Sequence, residues 1–448
     1  MLPLSIYQIA HLLEHKLEPK MAGEELIFTA TVDSRKKGDL FFALPGMNQD
    51  GHEFLELAKE KGALAAVVSK SYKGPAFGLQ LIPVEDVLKA LQSLARIIVA
   101  KQKPLVVAVT GSMGKTTTKE FLAQLLQARY HVYKSPGNAN SQIGLPLSLL
   151  SLRGDEEVLV LEMGMTEKGQ IANLTTIAPP DLAIITTVGL VHAVNFEGLE
   201  DILGAKAEIF SHRSTQYAVY STDMPHVEKI NFSDASEKIP FSTQNREAPF
   251  YAALEDGQIV IWEKGEKVLE RPWPILGSHN VDNFLAAATA VRHLGVTWEE
   301  IGANIEKLEL PGDRLELVHK GSITFLKDAY NANRNSLCMA LKTLQSLKLG
   351  KRKVAVISEM LELGAFAEEE HRAVAQCALE IVDNLYCIGP GTKIIKELFD
   401  KAGKNCYYYD SKDILRETLK KELQEEDLVL IKGGRFYNLG DLVEHFEC

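Results

Sequence analysis

The chain has 448 residues, of which 46% are hydrophobic and 24% charged, and its formal net charge is −11. This length allows about two to four domains with substantial cores, and the acidic balance argues against a protein that coats nucleic acid or binds an anionic membrane surface. No apolar run reaches about 18 residues, so no membrane span is expected, and residues 1–15 predict a short amphipathic helix instead of a signal peptide.

Residues 1–102 are predicted to form a first, small α/β unit. Its strands are expected at Leu26–Val32, Asp39–Leu44 and Ala63–Ser69, and its helices at Glu53–Lys61 and Val87–Ala100.

Ser34 and Arg35 lie on the loop between the first two predicted strands of this unit. Serine and arginine on a loop can bind a phosphate or a pyrimidine. The alternative is a capped turn with a solvated arginine, and spacing alone favours that alternative.

A phosphate-binding loop is predicted where a second unit, residues 103–311, begins. Leu105–Val109 is continuously apolar, as in a strand buried on both faces. A short T-G-x-x-G-K-T loop and a helical pattern follow, so backbone N–H groups and the helix dipole would face an anion. Lys115 could reach the β- and γ-phosphates of a nucleotide, and the Thr116 hydroxyl could bind magnesium. A nucleoside triphosphate is therefore expected here, and a simple tight turn is the weaker alternative.

Two further polar residues follow predicted parallel strands of the second unit. Glu162 ends Val158–Leu161, and His192 comes shortly after Leu182–Val188. Ligands collect beyond the carboxyl ends of such strands, and a carboxylate suits magnesium. The two residues are thus predicted to share one site with the phosphate loop, although each alone could be an ordinary surface acid or loop histidine.

The rest of the second unit contains a helical stretch, an antiparallel insert and a long helix. Composition alone predicts that Lys206 is solvent-exposed. Residues 249–276 predict an antiparallel β insert, and His279–Leu294 predicts a helix that Gly295 ends. Asn283 could contact an adenine edge. The alternative for the start of this helix is a purely structural one, in which Ser278 caps it.

Residues 312–448 are predicted to form a third unit with alternating strands and helices, which indicates parallel βαβ units with right-handed crossovers. No G-x-G-x-x-G follows its first strand, so a dinucleotide cofactor is not expected. The five cysteines form no C-x-x-C pair and predict reduced thiols in a cytoplasmic protein. The strands are expected at Ile323–Leu326, Lys353–Ile357, Asn384–Ile388, Cys406–Tyr409 and Leu428–Ile431.

Taken together, the motifs over nearly the whole chain resemble those of the Mur ligase family of ATP-dependent amide-forming enzymes. The resemblance implies three domains: a uridine-nucleotide domain, a central ATP-binding parallel-sheet domain with the antiparallel insert, and a Rossmann-like C-terminal domain. It is carried by the phosphate loop together with residues 33–52, Pro136–Asn140, Glu162–Gly164, Asp328–Asn333 and Met360–Gly364.

Within the family, the last four of these stretches resemble the ligase that adds D-alanyl-D-alanine to UDP-N-acetylmuramoyl-tripeptide in peptidoglycan synthesis. The resemblance implies an acyl-phosphate intermediate, ATP and Mg²⁺, a monomer, and no nucleic-acid partner. The alternatives are a family member that adds a single amino acid and an ATP-dependent switch protein that ligates nothing.

The resemblance also implies roles for individual residues. A carbamylated Lys206 and His192 would act with Lys115 in catalysis, and the same lysine and histidine would hold metal with Thr116 and Glu162. Substrate would contact Ser34, Arg35, Asn138, Asn331 and Asn333. ATP would contact Gly111, Ser112, Met113, Gly114, Lys115, Thr116, Thr117, Asn283, Arg314 and Asp328, with Asn283 at adenine, Arg314 at the phosphates and Asp328 at the ribose.

Four departures from the family pattern concern the incoming dipeptide, among them Ser141 in place of a common asparagine and a glycine of Lys432-Gly433-Gly434-Arg435 in place of a typical serine. Arg334 stands where the family usually has proline, and Ser358-Glu359 replaces a usual Gly-Asp. They affect the expected fine specificity for the dipeptide, whereas the residues of the ATP chemistry match the family pattern.

Overall fold

The computed structural model describes residues 3–15, 26–46, 49–191 and 193–446. The chain forms three α/β units, each built around its own mainly parallel sheet. The predicted mixed α/β architecture is confirmed, while the predicted unit boundaries remain predictions.

The first unit contains a short antiparallel strand pair and a parallel sheet of the order β3-β4-β5-β6 in the part of the chain that is described. The strand expected over Leu26–Val32 is divided into two short pieces. The edge strand Gln80–Val84 was not predicted, because Pro83 is untypical of strands except at sheet edges. In chain order the elements are β1 (Leu4–Ser5), α1 (Ile6–Leu12), β2 (Leu26–Ile27), β3 (Ala30–Thr31), β4 (Leu40–Phe42), α2 (Leu55–Glu60), β5 (Ala65–Ser69), β6 (Gln80–Val84) and α3 (Val87–Gln102).

Helix α3 connects the first unit to the second. Its buried residues Leu91 and Leu94 belong to one hydrophobic core with Leu145 and Leu149 of the second unit. Burial of each such side chain contributes about 1.5–3 kcal/mol, so the first unit is packed against the second through a shared core.

The second unit is a single sheet, whose order among the described residues is β15-β14-β13-β12-β11-β10-β7-β9-β8. Its elements are β7 (Leu105–Thr110), α4 (Lys115–Leu126), β8 (Val132–Lys134), α5 (Gly144–Leu149), β9 (Val158–Glu162), α6 (Gln170–Ile177), β10 (Leu182–Ile185), α7 (Leu199–Ala207), β11 (Tyr217–Ser221), β12 (Glu237–Ser242), β13 (Phe250–Glu255), β14 (Gln258–Glu263), β15 (Glu266–Pro272), α8 (His279–His293) and α9 (Trp298–Asn304).

The predicted antiparallel segment is the edge of this sheet. Strands β13, β14 and β15 pair antiparallel with one another, and β13 pairs parallel with β12. Helices α4 and α8 pack together on one face of the sheet, and α5, α6 and α7 contribute to the core on the other face. Because β7, β9 and β10 are adjacent and parallel, their carboxyl ends meet at one edge.

The third unit has the sheet order β16-β17-β21-β18-β19-β20 among the described residues. All five predicted strands are present, and an unpredicted β16 pairs antiparallel with β17. Helices α10, α11 and α12 cover one face and α13 the other. The elements are β16 (Glu316–Lys320), β17 (Ile323–Lys327), α10 (Arg334–Ser346), β18 (Arg352–Ser358), α11 (Ala367–Leu379), β19 (Asn384–Ile388), α12 (Lys393–Lys401), β20 (Asn405–Tyr409), α13 (Lys412–Glu422) and β21 (Asp427–Lys432).

Within the described ranges, none of the helices combines the length and apolar character that crossing a membrane would require. The four cysteines that the structure describes, Cys338, Cys377, Cys387 and Cys406, are free thiols, as predicted.

Candidate active site

The phosphate loop joins β7 to α4 and contains two glycines that other residues could not replace. Gly114 precedes the helix with φ +78°, and a Cβ there would lie 2.1 Å from Asn283 Oδ1. A Cβ on Gly111 would lie 1.9 Å from Thr186 Oγ1. Both positions therefore need glycine for close backbone approach, and the N–H groups that begin α4 remain available to an anion.

Side chains of the neighbouring strand end hold this loop in place. The Ser112 N–H donates to Thr187 O at 2.8 Å, and Ser112 Oγ exchanges hydrogen bonds of 2.9 Å with the backbone of Gly189. Thr186 Oγ1 donates to Met113 O at 2.5 Å. The loop is thus preorganised by β10 and the segment after it.

Lys115 begins α4 and folds back over the loop. Its Nζ donates to Gly111 O at 2.7 Å. Burial lowers the Lys115 pKa, the Glu162 charge opposes that change, and the Arg314 charge lowers the pKa further. An anion bound in the loop would supply the negative charge that this environment lacks. Thr117, also expected at the nucleotide, is buried behind the loop with 3% of its surface exposed.

Glu162 lies at the end of β9 with 2% of its surface exposed. Thr116 Oγ1 donates to Glu162 Oε2 at 2.9 Å, and Asn140 Nδ2 donates to Glu162 Oε1 at 2.6 Å. A carboxylate and a hydroxyl are hard oxygen donors that suit Mg²⁺. The described residues contain no group of three or more His, Cys, Asp or Glu side chains arranged for a metal.

Lys206 is buried, with 2% of its surface exposed, so the expectation from composition that it faces solvent is wrong. It lies on α7, where packing against the sheet and not composition decides which face is covered. Its Nζ donates to Gly111 O at 3.0 Å. Burial, reinforced by the charge of Lys115, brings the Lys206 pKa well below its ordinary value. His192, the other metal ligand expected on this side, lies outside the described residues.

Helix α8 begins beside the phosphate loop. Asn283 is buried against Gly114, and its Nδ2 donates to Asn280 Oδ1 at 2.9 Å. The alternative that Ser278 caps this helix is wrong, because its backbone is already helical and its side chain makes no capping hydrogen bond. The predicted contact of Asn283 with adenine remains a prediction.

Asp282, in the first turn of α8, provides a pH-dependent test of this region. Burial raises its pKa from 3.8 to about 6, the Thr243 hydrogen bond opposes the rise, and Asp223 adds to it. Because the folded state binds this proton more tightly than the unfolded state, protonation of Asp282 favours folding. This contribution to stability is fully present below pH 3.8 and is lost as the pH rises through about 6. We expect Asp282→Asn to be more stable than the wild type by about 1–3 kcal/mol at pH 8 and to lose this advantage towards pH 4, in urea unfolding.

The exposed Asp234 provides the control for this test. Asp234→Asn should give unfolding curves that follow the wild type at both pH values. An Asp282→Asn advantage that is the same at pH 4 and pH 8 would contradict the assignment.

Two arginines of the third unit enclose one tyrosine near the phosphate loop. The guanidinium of Arg314 lies 4.3 Å from the ring centroid of Tyr330, and that of Arg435 lies 4.2 Å from it. Such stacking orients guanidinium groups. The Arg314 charge contributes to lowering the Lys115 pKa, and its contact with the phosphates remains a prediction.

Asp328 has a buried partner that the sequence did not indicate. Lys432, with 2% of its surface exposed, donates from Nζ to Asp328 Oδ2 at 2.7 Å and to Asn331 O at 3.1 Å. Asp328 and Lys432 both influence the pKa of His279 at the start of α8. The predicted ribose contact therefore lies at the junction of the second and third units.

Asn333 and Arg334 begin helix α10. Asn333 Oδ1 accepts from the Ser336 N–H at 2.9 Å, so this predicted substrate residue caps the helix. Arg334 pairs with the buried Glu370 at 3.1 Å. The next residue, Asn335, lies close to Gly189 in the segment after β10, since a Cβ on Gly189 would lie 3.2 Å from Asn335 Nδ2.

Two proximities place the third unit against the second: a Cβ on Gly189 would lie 3.2 Å from Asn335 Nδ2, and the Val194 N–H donates to Glu362 O at 3.3 Å. Met113 of the phosphate loop and Asn335 at the start of α10 line one small cavity with Gly189, so the third unit lies beside the loop.

The predicted uridine-nucleotide contacts show no feature that distinguishes them from an ordinary turn. Ser34 is buried, and Arg35 has 81% of its side chain exposed and pairs with Asp33 at 3.0 Å. Asn138 is exposed on the turn that precedes Asn140. Their substrate roles stay predictions.

Sequence reasoning assigned no role to three buried polar residues near the site, Lys119, Ser135 and Lys432. Nothing in the local pattern marks Lys119, because a lysine in a helix is usually solvated. Lys432 stands in Lys432-Gly433-Gly434-Arg435, where glycines beside two basic residues were the available signal.

Comparisons with known proteins were made for the whole chain. Family models match at residues 31–98 (Mur ligase family, catalytic domain), 109–291 (Mur ligase middle domain) and 313–435 (Mur ligase, glutamate ligase domain). A UDP-N-acetylmuramoyl-tripeptide--D-alanyl-D-alanine ligase of Bacillus subtilis is 33% identical, over 99% of this chain and 98% of that protein.

Two solved structures resemble the fold over nearly its full length. MurF from Acinetobacter baumannii has a TM-score of 0.87 and 26% identity, with 99% of each chain covered. MurF ligase from Thermotoga maritima, solved in complex with ADP, has a TM-score of 0.79 and 28% identity, with 93% of this chain and 96% of that chain covered.

Proposed function

The chain belongs to the Mur ligase family, and from this premise we propose that it joins D-alanyl-D-alanine to UDP-N-acetylmuramoyl-tripeptide at the expense of ATP. The products are ADP, phosphate and the UDP-muramoyl-pentapeptide used in peptidoglycan synthesis. The observation that carries this proposal is the 33% identity, over 99% of the chain, with a relative named for that reaction.

The site chemistry supports a ligase because a carboxylate must be activated before an amine can displace its oxygen. A carboxylate oxygen of the tripeptide attacks the γ-phosphorus of ATP, the bond to the bridging oxygen of ADP breaks, and an acyl phosphate forms. The dipeptide amine then attacks the acyl carbon, loses a proton, and phosphate leaves from the tetrahedral intermediate. Lys115 and the N–H groups of the loop stabilise the charge that develops on the phosphoryl oxygens.

Thr116 and Glu162 supply the oxygen atoms that would hold Mg²⁺ in this reaction. When bound, the metal neutralises phosphate charge and fixes the orientation of the transferring group. The chain itself provides the partly buried position in which Lys115 acts, and the third unit lies beside it.

Lys206 is proposed to be carbamylated. The pKa of its buried amine is well below the ordinary value, and a neutral amine has the lone pair needed to attack the carbon of CO₂. The product is a carbamate, with release of one proton, and its oxygens could bind a metal as a carboxylate does. His192 is proposed as a further metal ligand.

The remaining contacts follow the family pattern. Asn283 is proposed for adenine, Arg314 for the phosphates and Asp328 for the ribose, and the other substrate residues are proposed to be Ser34, Arg35, Asn138, Asn331 and Asn333. We also propose a monomer with units at 1–102, 103–311 and 312–448, working in the cytoplasm because ATP is supplied there.

The proposed reaction predicts a strict requirement for a dipeptide. With ATP, Mg²⁺ and UDP-N-acetylmuramoyl-tripeptide, phosphate release should depend on D-alanyl-D-alanine and should match pentapeptide formation one to one by mass spectrometry. D-Alanine alone should react at least about a hundredfold more slowly, since it leaves contacts of the site unmade.

The rival functions give different results in the same assay. A ligase for single amino acids would form product with one amino acid and not with the dipeptide. A nucleotide-dependent switch would release phosphate slowly and at the same rate with or without either substrate.

A further inference from the structure

Lys119 is a completely buried lysine that the proposed reaction leaves without a role. It lies on α4, four residues after Lys115, and 0% of its surface is exposed. Its Nζ donates to Ser135 O at 2.8 Å and to Gly137 O at 3.0 Å. Two carboxylates are also near: Glu120 Oε1 at 3.6 Å and Glu162 Oε2 at 4.0 Å.

Burial of this ammonium group is costly, because a charge loses its hydration in the protein interior. A methionine of similar length would fill the same space without that cost, and a buried ion pair is often no more stable than a well-packed apolar replacement. Packing alone therefore does not account for a lysine at this position, and its ammonium group is expected to act on the polar groups around it.

The neighbour that needs the charge is Glu162. Its carboxylate is almost completely buried and accepts from Thr116 and Asn140, both of which are neutral. Glu120 is partly exposed and already pairs with Lys134. Lys115 also interacts with the Glu162 charge, but Lys119 is the completely buried cation that approaches Glu162 Oε2 to within 4.0 Å.

Lys119 also connects Glu162 to the turn at residues 135–140. Ser135 O accepts from Lys119, while Ser135 Oγ accepts from the Glu162 N–H at 3.0 Å. Gly137 O is the second carbonyl that Lys119 holds, and the turn ends at Asn140, which donates to Glu162. One ammonium group therefore fixes the helix of the phosphate loop, the turn and the carboxylate relative to one another.

We propose that Lys119 is a positioning residue that serves as the resident counter-charge of Glu162 and holds this carboxylate aimed at the phosphate loop before Mg²⁺ arrives. The proposal rests on the proposed function in that Glu162 is taken as the metal ligand. Because two cations then share one carboxylate, Lys119 also weakens Mg²⁺ binding and so keeps the metal exchangeable with the nucleotide.

The first test is a double-mutant cycle of Lys119→Met and Glu162→Gln, measured by urea unfolding without metal or nucleotide. In the wild-type background, Lys119→Met takes the adjacent cation away from a buried carboxylate and should raise the unfolding equilibrium constant about 10²- to 10³-fold. In the Glu162→Gln background the same change should raise it at most about tenfold. If Lys119→Met alone does not fold, the double variant should still fold, and additive effects would overturn the proposal.

The second test measures how Mg²⁺ stabilises the protein in saturating ADP, by the shift in thermal unfolding. Lys119→Met should reach half of its full shift at about a tenfold lower Mg²⁺ concentration than the wild type, since the competing charge is gone. A purely structural role predicts an unchanged or higher concentration, and either result would overturn the proposal.

Lys134→Met is the matched control in both tests. Lys134 also pairs with Glu120, but 42% of its side chain is exposed. Its removal should leave the cycle and the Mg²⁺ response as in the wild type, and an equal effect would show that Glu120 is the group that matters. Neither test uses turnover, so a wild-type protein without ligase activity would refute the proposed function and leave this inference standing.

Discussion

Replacement of Lys115 by alanine is expected to reduce pentapeptide formation about 10³-fold, with the protein still folded. Lys115 lies over the phosphate loop, with its Nζ 2.7 Å from Gly111 O, and is the cation proposed to stabilise the transferring phosphoryl group. Its loss removes a preorganised donor from a partly buried site, where such a donor has a larger effect than in bulk water. The measurement is phosphate release and product mass with both substrates at saturation.

Lys101→Ala is the control for this prediction, because Lys101 is an exposed lysine near the end of α3. Its activity should equal that of the wild type. The free energy of unfolding of Lys115→Ala should stay within about 1 kcal/mol of the wild-type value. The loss of activity would then be chemical and not structural. Product formation at the wild-type rate by a folded Lys115→Ala protein would refute the proposed mechanism.

Replacement of Lys206 by alanine is expected to reduce activity about 10²- to 10³-fold, and short carboxylic acids should restore part of it. The loss of a carbamate that helps to hold the metal would remove several kcal/mol of transition-state stabilisation. Acetate or formate in the space that the side chain leaves would return the missing oxygen ligands. Intact mass in bicarbonate should show one added CO₂ on the wild type and none on Lys206→Ala.

Lys168→Ala is the control for the rescue experiment. Lys168 is an exposed lysine that pairs with Asp201, and neither its activity nor its mass should respond to the acids or to bicarbonate. If acetate stimulates Lys168→Ala as much as Lys206→Ala, the effect is not a replacement of the carbamate.

Spacing in the sequence predicts site residues only where residues that are close in sequence are also close in space. Residues 111–117 follow a continuously apolar strand and begin a helix, so local geometry alone brings their N–H groups and Lys115 to one point. Glu162 could be added because it ends another parallel strand, and such ends share one edge of a sheet. The structure has Thr116 and Glu162 in direct contact, in agreement with this reasoning.

Burial of individual lysines could not be predicted in the same way. Lys119, Lys206 and Lys432 lie in helices or at strand ends where lysine is usually solvated, yet each is at most 2% exposed. Their burial results from contacts between segments far apart in the chain, such as Lys119 with Ser135 and Lys432 with Asp328. A sequence pattern of one segment contains no information about such partners.

The sequence by itself determined the phosphate loop, the alternation of strands and helices, and the family to which the chain belongs, because each depends on residues close together or on a motif of fixed spacing. Only the tertiary structure decided which cations are buried beside Gly111, Glu162 and Asp328, and that the third unit lies beside the loop. The physical reason is that desolvation and charge pairing depend on what surrounds a side chain in three dimensions.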